Sequence, residues 1–159
     1  MNHFKLAASL FATVFAFSAF SADFNFSAYT PKPLAQIQSD YDAVAMDLEK
    51  GKSLYLPVLE KRNFEINYTG EFSDIDETRT KFIRNFSKYA NLDSAHVNLY
   101  RHVLKVSDAG KDYYLPVQEP LISYMVRELA IGQKINVYVL FAGSDSNGLV
   151  LLISEFKDS

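Results

Sequence analysis

The sequence predicts an α+β domain: a mainly antiparallel barrel of five to six strands, with a helix between strands 3 and 4, an inserted helix after strand 1 and a helix ahead of the first strand. Three observations carry this. Phe64, Ile66, Tyr68, Gly70 and Phe72 alternate with Glu65, Asn67, Thr69 and Glu71, which gives a strand one buried and one wet face. Pro120 opens a segment in which Leu121, Ile122, Met125, Val126 and Leu129 fall on one helical stripe, and Gly132 stands where a left-handed stop is wanted. Strand-like runs flank that helix: Tyr113-Tyr114-Leu115-Pro116-Val117 before it and Ile135 to Ala142 after it.

The first 21 residues stand apart from the domain. Lys5 supplies a positive start, Leu6 to Phe20 is almost unbroken apolar chain, and Ala19-Phe20-Ser21 puts small residues three and one before a cut. This is the pattern of a secretory signal peptide, removed on export to a periplasmic or extracellular compartment. The apolar run of about 15 residues is short for a membrane span of roughly 20, so no membrane span is predicted after cleavage. Residues 22–33, ending in Pro31-Lys32-Pro33, read as a linker, and 34–159 as a single domain. A chain of that size buries roughly two thirds of its unfolded surface without a staple. None is on offer: the chain has no cysteine, hence no disulfide and no thiolate metal site.

The elements follow in order. Leu34, Ile37, Tyr41, Val44 and Leu48 recur at spacings of three and four, a helix from Leu34 to Lys50 closed by Gly51. Ser53 to Val58 reads as a short edge strand because of Pro57, and Lys61-Arg62-Asn63 as a polar break before the alternating strand from Phe64 to Phe72. Gly70 marks a bulge or bend in that strand. Asp74 and Glu77 resemble a capping pair for a helix from Ile75 to Tyr89, with Phe82, Ile83, Phe86 and Tyr89 buried. Arg79, Thr80, Lys81, Arg84 and Lys88 form its basic, solvated face. His96 to Val106 is a strand whose alternation slips near Arg101 to Leu104, and Asp108-Ala109-Gly110 turns into the next. Beyond the central helix, Ile135, Val137, Val139 and Phe141 share a face, Asn147-Gly148 is a hairpin signal, and Leu149 to Phe156, apolar on both faces, is a central strand. Gly51 to Glu60 echoes Gly110 to Glu119, each with Gly-Lys and then Tyr-Leu-Pro-Val, read as a glycine turn into a strand ended by proline.

From Phe64 onward, with the inserted helix set aside, this order resembles the OB-fold, a five-stranded Greek-key barrel with a helix between its third and fourth strands. Glu128-Leu129-Ala130-Ile131-Gly132-Gln133-Lys134-Ile135 is similar to the usual end of that helix, where glycine releases the chain into strand 4. The resemblance is to small exported bacterial domains of that topology and covers about two thirds of the mature chain; it implies a barrel whose strands 2 and 3 carry oligomer binding. The alternative is a sandwich, with helices covering one face of an antiparallel sheet.

Chemistry is sparse. No G-x-S-x-G elbow, H-E-x-x-H, P-loop or dinucleotide fingerprint occurs. Gly143 to Gly148 matches a calcium loop only at Asp145, Asn147 and Gly148 and reads better as a hairpin turn. No catalytic residue, metal ligand or cofactor is predicted. The net charge of −3, made more negative by loss of Lys5, argues against nucleic acid as a partner. One face remains: His96, Asn98, Tyr100 and His102 alternate along a single predicted strand, with Tyr113 and Tyr114 opposite. Polar side chains beside stacking aromatics suit glycan, peptide or protein recognition in the cell envelope. The expectation is an exported, non-catalytic binding or interaction domain; the alternative is a small hydrolase acting on envelope material.

Overall fold

The computed structural model describes residues 23–45 and 52–159. The leader over 1–21 lies outside the described residues, as do Leu48, Lys50 and Gly51 at the predicted end of the first helix. Among the described residues seven strands form one mixed sheet: β1 (Thr30–Pro31), β2 (Leu54–Asn67), β3 (Phe72–Asp74), β4 (Tyr100–Asp108), β5 (Lys111–Gln118), β6 (Lys134–Asp145) and β7 (Gly148–Asp158). Their order across the sheet is β1-β2-β6-β7-β5-β4-β3. The sheet is open, with β1 and β3 at its two edges, so the predicted barrel, and with it the OB-like topology, is wrong.

The reason lies at the strand that looked cleanest. Residues 64–72 are not one strand: β2 stops at Asn67 and pairs with β6, whereas β3 begins at Phe72 and pairs with β4 at the far edge. The chain crosses between them at Gly70, whose φ of +71° glycine adopts without strain. Lys105 N donates to Glu71 O at 2.9 Å and Gly132 N to Tyr68 O at 2.7 Å, fixing the crossing. Tyr68 and Phe72 nevertheless keep their rings 6.3 Å apart in the same core, so the alternation survives although the neighbours change. Upstream, Lys61-Arg62-Asn63 is no break: these residues pair with Leu140, Val139 and Tyr138 inside the 14-residue β2. Pro57 falls within the register shift between Tyr55 and Glu60, where a missing N–H is tolerated. Neither echoed proline ends its strand, since β2 runs on to Asn67 and β5 passes through Pro116 to Gln118.

Helices cover both faces, not one. On the first, α1 (Leu34–Ala45) and α4 (Glu119–Glu128) lay Leu34, Ile37, Leu121 and Met125 on Phe64, Ile66, Leu104, Leu115, Val137 and Leu151. On the second, α2 (Glu77–Tyr89) packs Phe82, Ile83 and Phe86 against Tyr100, Leu140, Ala142, Val150 and Leu152. β7 is therefore buried on both sides, as its two-faced apolar sequence requires. Among the described residues no helix is long and apolar enough to cross a membrane. Two stripe residues differ from expectation. Tyr89 and Val126 are more than half exposed, although Met125, beside Val126, is fully buried. The segment ahead of α1 is packed rather than a free linker: a 3-10 turn (Phe26–Ala28) leads into β1, which runs parallel to β2 at Arg62 and Asn63.

Candidate functional site

The parallel neighbours β5 and β7 share one ladder pair, Val117 with Ile153. Toward their N-terminal ends the backbone groups of β7 need other partners. Arg79 supplies one: its Nη1 donates to Leu149 O at 2.8 Å. The same guanidinium meets Asp145 at the start of the β6–β7 turn. Nη2 donates to Oδ1 at 3.0 Å, and Nε lies 2.6 Å from Oδ2 as an ion-pair contact whose N–H is not aligned on the oxygen. Both side chains are buried. Arg79 thus leaves the solvated basic face on which helical spacing puts it and plugs the gap between strands.

The plug is braced at both ends. Asp76, not Asp74, caps α2, accepting from Arg79 N at 2.7 Å through Oδ1. Its other oxygen accepts from Asn147 Nδ2 at 2.9 Å, and Asn147 N donates to Asp145 Oδ1 at 2.8 Å. Helix cap, guanidinium and hairpin form one polar network, with Asp145 tied up in it rather than free for a cation. Among the described residues no group of three or more His, Cys, Asp or Glu is placed to hold a metal ion.

Outside this network opens a cleft of about 650 Å³, walled by α1, β3, β5 and the β6–β7 turn. Asp42, Asp74, Asp76 and Asp112 outnumber Lys111 and Arg79 along its walls. The Asp112 carboxyl is held below the usual range by the Ser107 hydroxyl, at 2.5 Å, and by Lys105, 3.4 Å away. Asp42 accepts from Gln38 Nε2 at 2.7 Å. Tyr113 forms the floor, its hydroxyl pushed up chiefly by burial and then by the charges of Asp108 and Asp42; the Lys111 ammonium sits 5.3 Å from its ring centroid. Tyr114, on the opposite parity of β5, is 52% exposed and offers a free ring at the rim. Tyr41 at the α1 wall accepts from Ser144 Oγ at 2.7 Å.

Of the six predicted binding residues, the cleft receives Tyr113 and Tyr114. The other four do not share a strand face. His96 lies in a one-turn helix, α3 (Ser94–Val97), and Asn98 is its exposed C-cap. Tyr100 begins β4 and points into the second core, its hydroxyl 3.2 Å from Ser154 Oγ and accepting from Gln118 Nε2 at 3.1 Å. That burial pushes its pKa up to about 12. A register shift between Tyr100 and His102, where slipping alternation had pointed to a bulge, sends His102 elsewhere: its Nδ1 lies 3.2 Å from Asp74 Oδ1 on β3. His96 and Tyr100 keep company, with ring centroids 5.7 Å apart, beside a separate cavity on the α2 side of the sheet. Arg79, Asp76, Asp145 and Asn147 were missed as a unit. The sequence signal available for them was the capping spacing from Asp76 to Arg79 and the Asn147-Gly148 turn, neither of which states that the two segments meet.

No protein-family model matches this chain, and no curated protein matches it.

Proposed function

We propose that this chain is an exported, non-catalytic binding domain whose cleft takes a glycan fragment of the cell envelope. The observation that carries the reading is how the cleft's polar groups are committed. Asp76, Arg79 and Asn147 are locked in the network that closes the sheet, and Asp112 is held ionised by Ser107 and Lys105. Such groups are fixed acceptors and scaffold rather than proton shuttles. Sugar hydroxyls donate to carboxylates, and an exposed tyrosine ring such as Tyr114 is a stacking surface for the apolar face of a pyranose. The signal-like leader supports export.

Titration of the mature protein with soluble peptidoglycan fragments and envelope oligosaccharides, followed by amide shifts in NMR, tests the reading. Saturable shifts at Tyr114, Asp112 and Asn147 are expected. Tyr114→Ala should weaken binding by about 3- to 10-fold, the value of one aromatic contact. Absence of saturable binding, or binding indifferent to Tyr114→Ala and Asp112→Asn, refutes it. Release of product from those glycans would instead make the cleft a hydrolase.

A further inference from the structure

On the α2 side of the sheet, β7 carries an irregularity that nothing in the cleft explains. Along β6 and β7 the pairing passes from Val139 with Ile153 to Tyr138 with Glu155, leaving Ser154 without an opposite residue. Leu151 and Ile153 point into the first core, and so does Phe156. Between them Ser154 and Glu155 both turn to the other face, where both line a cavity of about 460 Å³. Without this bulge, Glu155 would follow the parity of Leu151 and Ile153 into the apolar core. The bulge re-aims one carboxylate into one cavity.

That carboxylate is only 5% exposed. Among the described residues its hydrogen bond is from the amide of Phe156, at 3.0 Å to Oε1. Among the described residues no cation forms an ion pair with it: Lys157, next on the same face, places its ammonium 3.4 Å from the Phe26 ring centroid instead. Burial holds the Glu155 carboxyl above the usual range, opposed by the Phe156 amide and by Lys157. Aromatic rings surround it. Tyr138 is its cross-strand neighbour, and Phe24, Phe26 and Tyr29 of the N-terminal segment pack on Tyr138 with centroids 4.8 to 5.9 Å away. Phe24, Tyr29 and His96 wall the cavity itself. A buried carboxylate costs free energy unless paired, and ring faces attract cations. One ligand chemistry satisfies both demands.

We propose that this cavity is a binding site for an organic ammonium group, with Glu155 as its counter-charge and the Phe24 and Tyr29 rings as its walls. It is independent of the glycan cleft, which lies beyond the N-terminal end of β7. Asp23 at the cavity adds a second negative charge, and Lys61 sits toward Tyr29, 5.7 Å from its ring centroid.

The test uses two probes of one shape and different charge: choline and its neutral isostere 3,3-dimethyl-1-butanol, titrated into the full-length mature protein. Choline should bind at least about 10-fold more tightly than the alcohol. Glu155→Gln should reduce that preference to about twofold or less while leaving alcohol binding as in the wild type, and Glu65→Gln, on the far edge of β2, should change neither. A second readout holds even if Glu155→Gln folds poorly. In the wild type, bound choline favours the carboxylate and must move the NMR titration midpoint of Glu155 to lower pH. The ionisable groups facing Glu155 are Asp23 and Tyr29 of the N-terminal segment, Lys61 of β2, His96 of α3, Tyr138 of β6 and Lys157 of β7, so the midpoint is read at the Glu155 carboxyl carbon itself. Equal affinity for the two probes, no binding of either, a preference that survives Glu155→Gln, or an unmoved Glu155 midpoint each overturns the proposal.

Discussion

Replacing Arg79 by methionine should be the most damaging single change on the polar side of this fold. The substitution keeps the length and apolar stem of the side chain and removes only the guanidinium. Asp145 is then left as a buried carboxylate with the Asn147 amide as its remaining partner among the described residues, and Leu149 O loses its donor. Breaking a buried ion pair from one side costs about 3–5 kcal/mol, much of it the burial of the orphaned charge. Against a total stability of about 5–15 kcal/mol, that is a large share. With a urea m-value of about 2 kcal/mol/M, the midpoint should fall by about 2 M at unchanged m. Asp145→Asn should cost a similar amount, since it leaves the Arg79 guanidinium as a buried charge without a counter-charge and sets an amide nitrogen where Oδ2 met Nε. The double variant Arg79→Met/Asp145→Asn should be more stable than the two losses added together predict, by about 1–3 kcal/mol, because no lone charge remains. Arg84→Met, exposed on the same helix, should stay within about 0.5 kcal/mol of wild type. A loss under about 1 kcal/mol for Arg79→Met, or strict additivity in the cycle, would refute the idea that the guanidinium stands in for a strand neighbour of β7.

The remaining predictions concern the core, pH and export. Ile66→Ala should cost about 2–5 kcal/mol and Glu65→Ala about 0.5 kcal/mol or less, while Leu129→Ala should fall between them, because Leu129 caps α4 and is only half-buried; urea denaturation of the three ranks them. Glu155 carries a raised carboxyl pKa, so the native state holds its proton more tightly than the unfolded chain does; that stabilisation is fully present below the unfolded carboxyl pKa and is lost as pH rises through the folded value. Glu155→Gln should therefore gain stability over wild type near neutral pH, and the gain should vanish below about pH 4, which a pH series of thermal melts resolves. Bulky residues in place of Ala19 and Ser21 should leave the leader attached, read by intact mass; normal processing of that variant would move the cut, with Ala22 the nearest place for it.

Much of the local structure was legible because it is written at short range. The stripe of Phe82, Ile83 and Phe86 declared α2, Pro120 and Met125 declared α4, and Asn147-Gly148 declared the last hairpin, each within one or two turns of chain. What short range cannot declare is which strands become neighbours. Tyr68 and Phe72 obey one alternation while belonging to strands at different places in the sheet, because Gly70 carries the chain across without changing which core the side chains face. The parallel contact of β5 with β7 joins residues more than thirty positions apart, and nothing local to Val117 or Ile153 announces it. Barrel and open sheet draw on largely the same apolar runs, and the difference lies in how those runs are divided into strands and which strands pair.

The site follows the same logic one level down, through bulges. A predicted binding face built on parity needs every residue between His96 and His102 to stay in register. The α3 turn removes His96 and Asn98 from the strand, and the shift after Tyr100 sends His102 to the β3 edge, so the four part company. The bulge at Ser154 works in the opposite sense. It takes Glu155, which parity assigns to the apolar core, and sets it beside rings from a segment that composition alone marks as a linker. A single inserted residue is enough for either outcome, since the side-chain period of a strand is two. Deleting Ser154 should therefore leave Glu155 where it is: Ile153, Glu155 and Phe156 would follow one another opposite Val139, Tyr138 and Val137, the partners they already have, with Glu155 still on the cavity face and Phe156 still in the core. The deletion gives up the slack of the bulge and the contact of Ser154 with Tyr100, and Ser154→Ala gives up only the contact. Both variants should therefore keep the preference for choline over its neutral isostere. Loss of that preference in the deletion variant alone would mean that the pairing with Tyr138 and Val137 does not govern where Glu155 points.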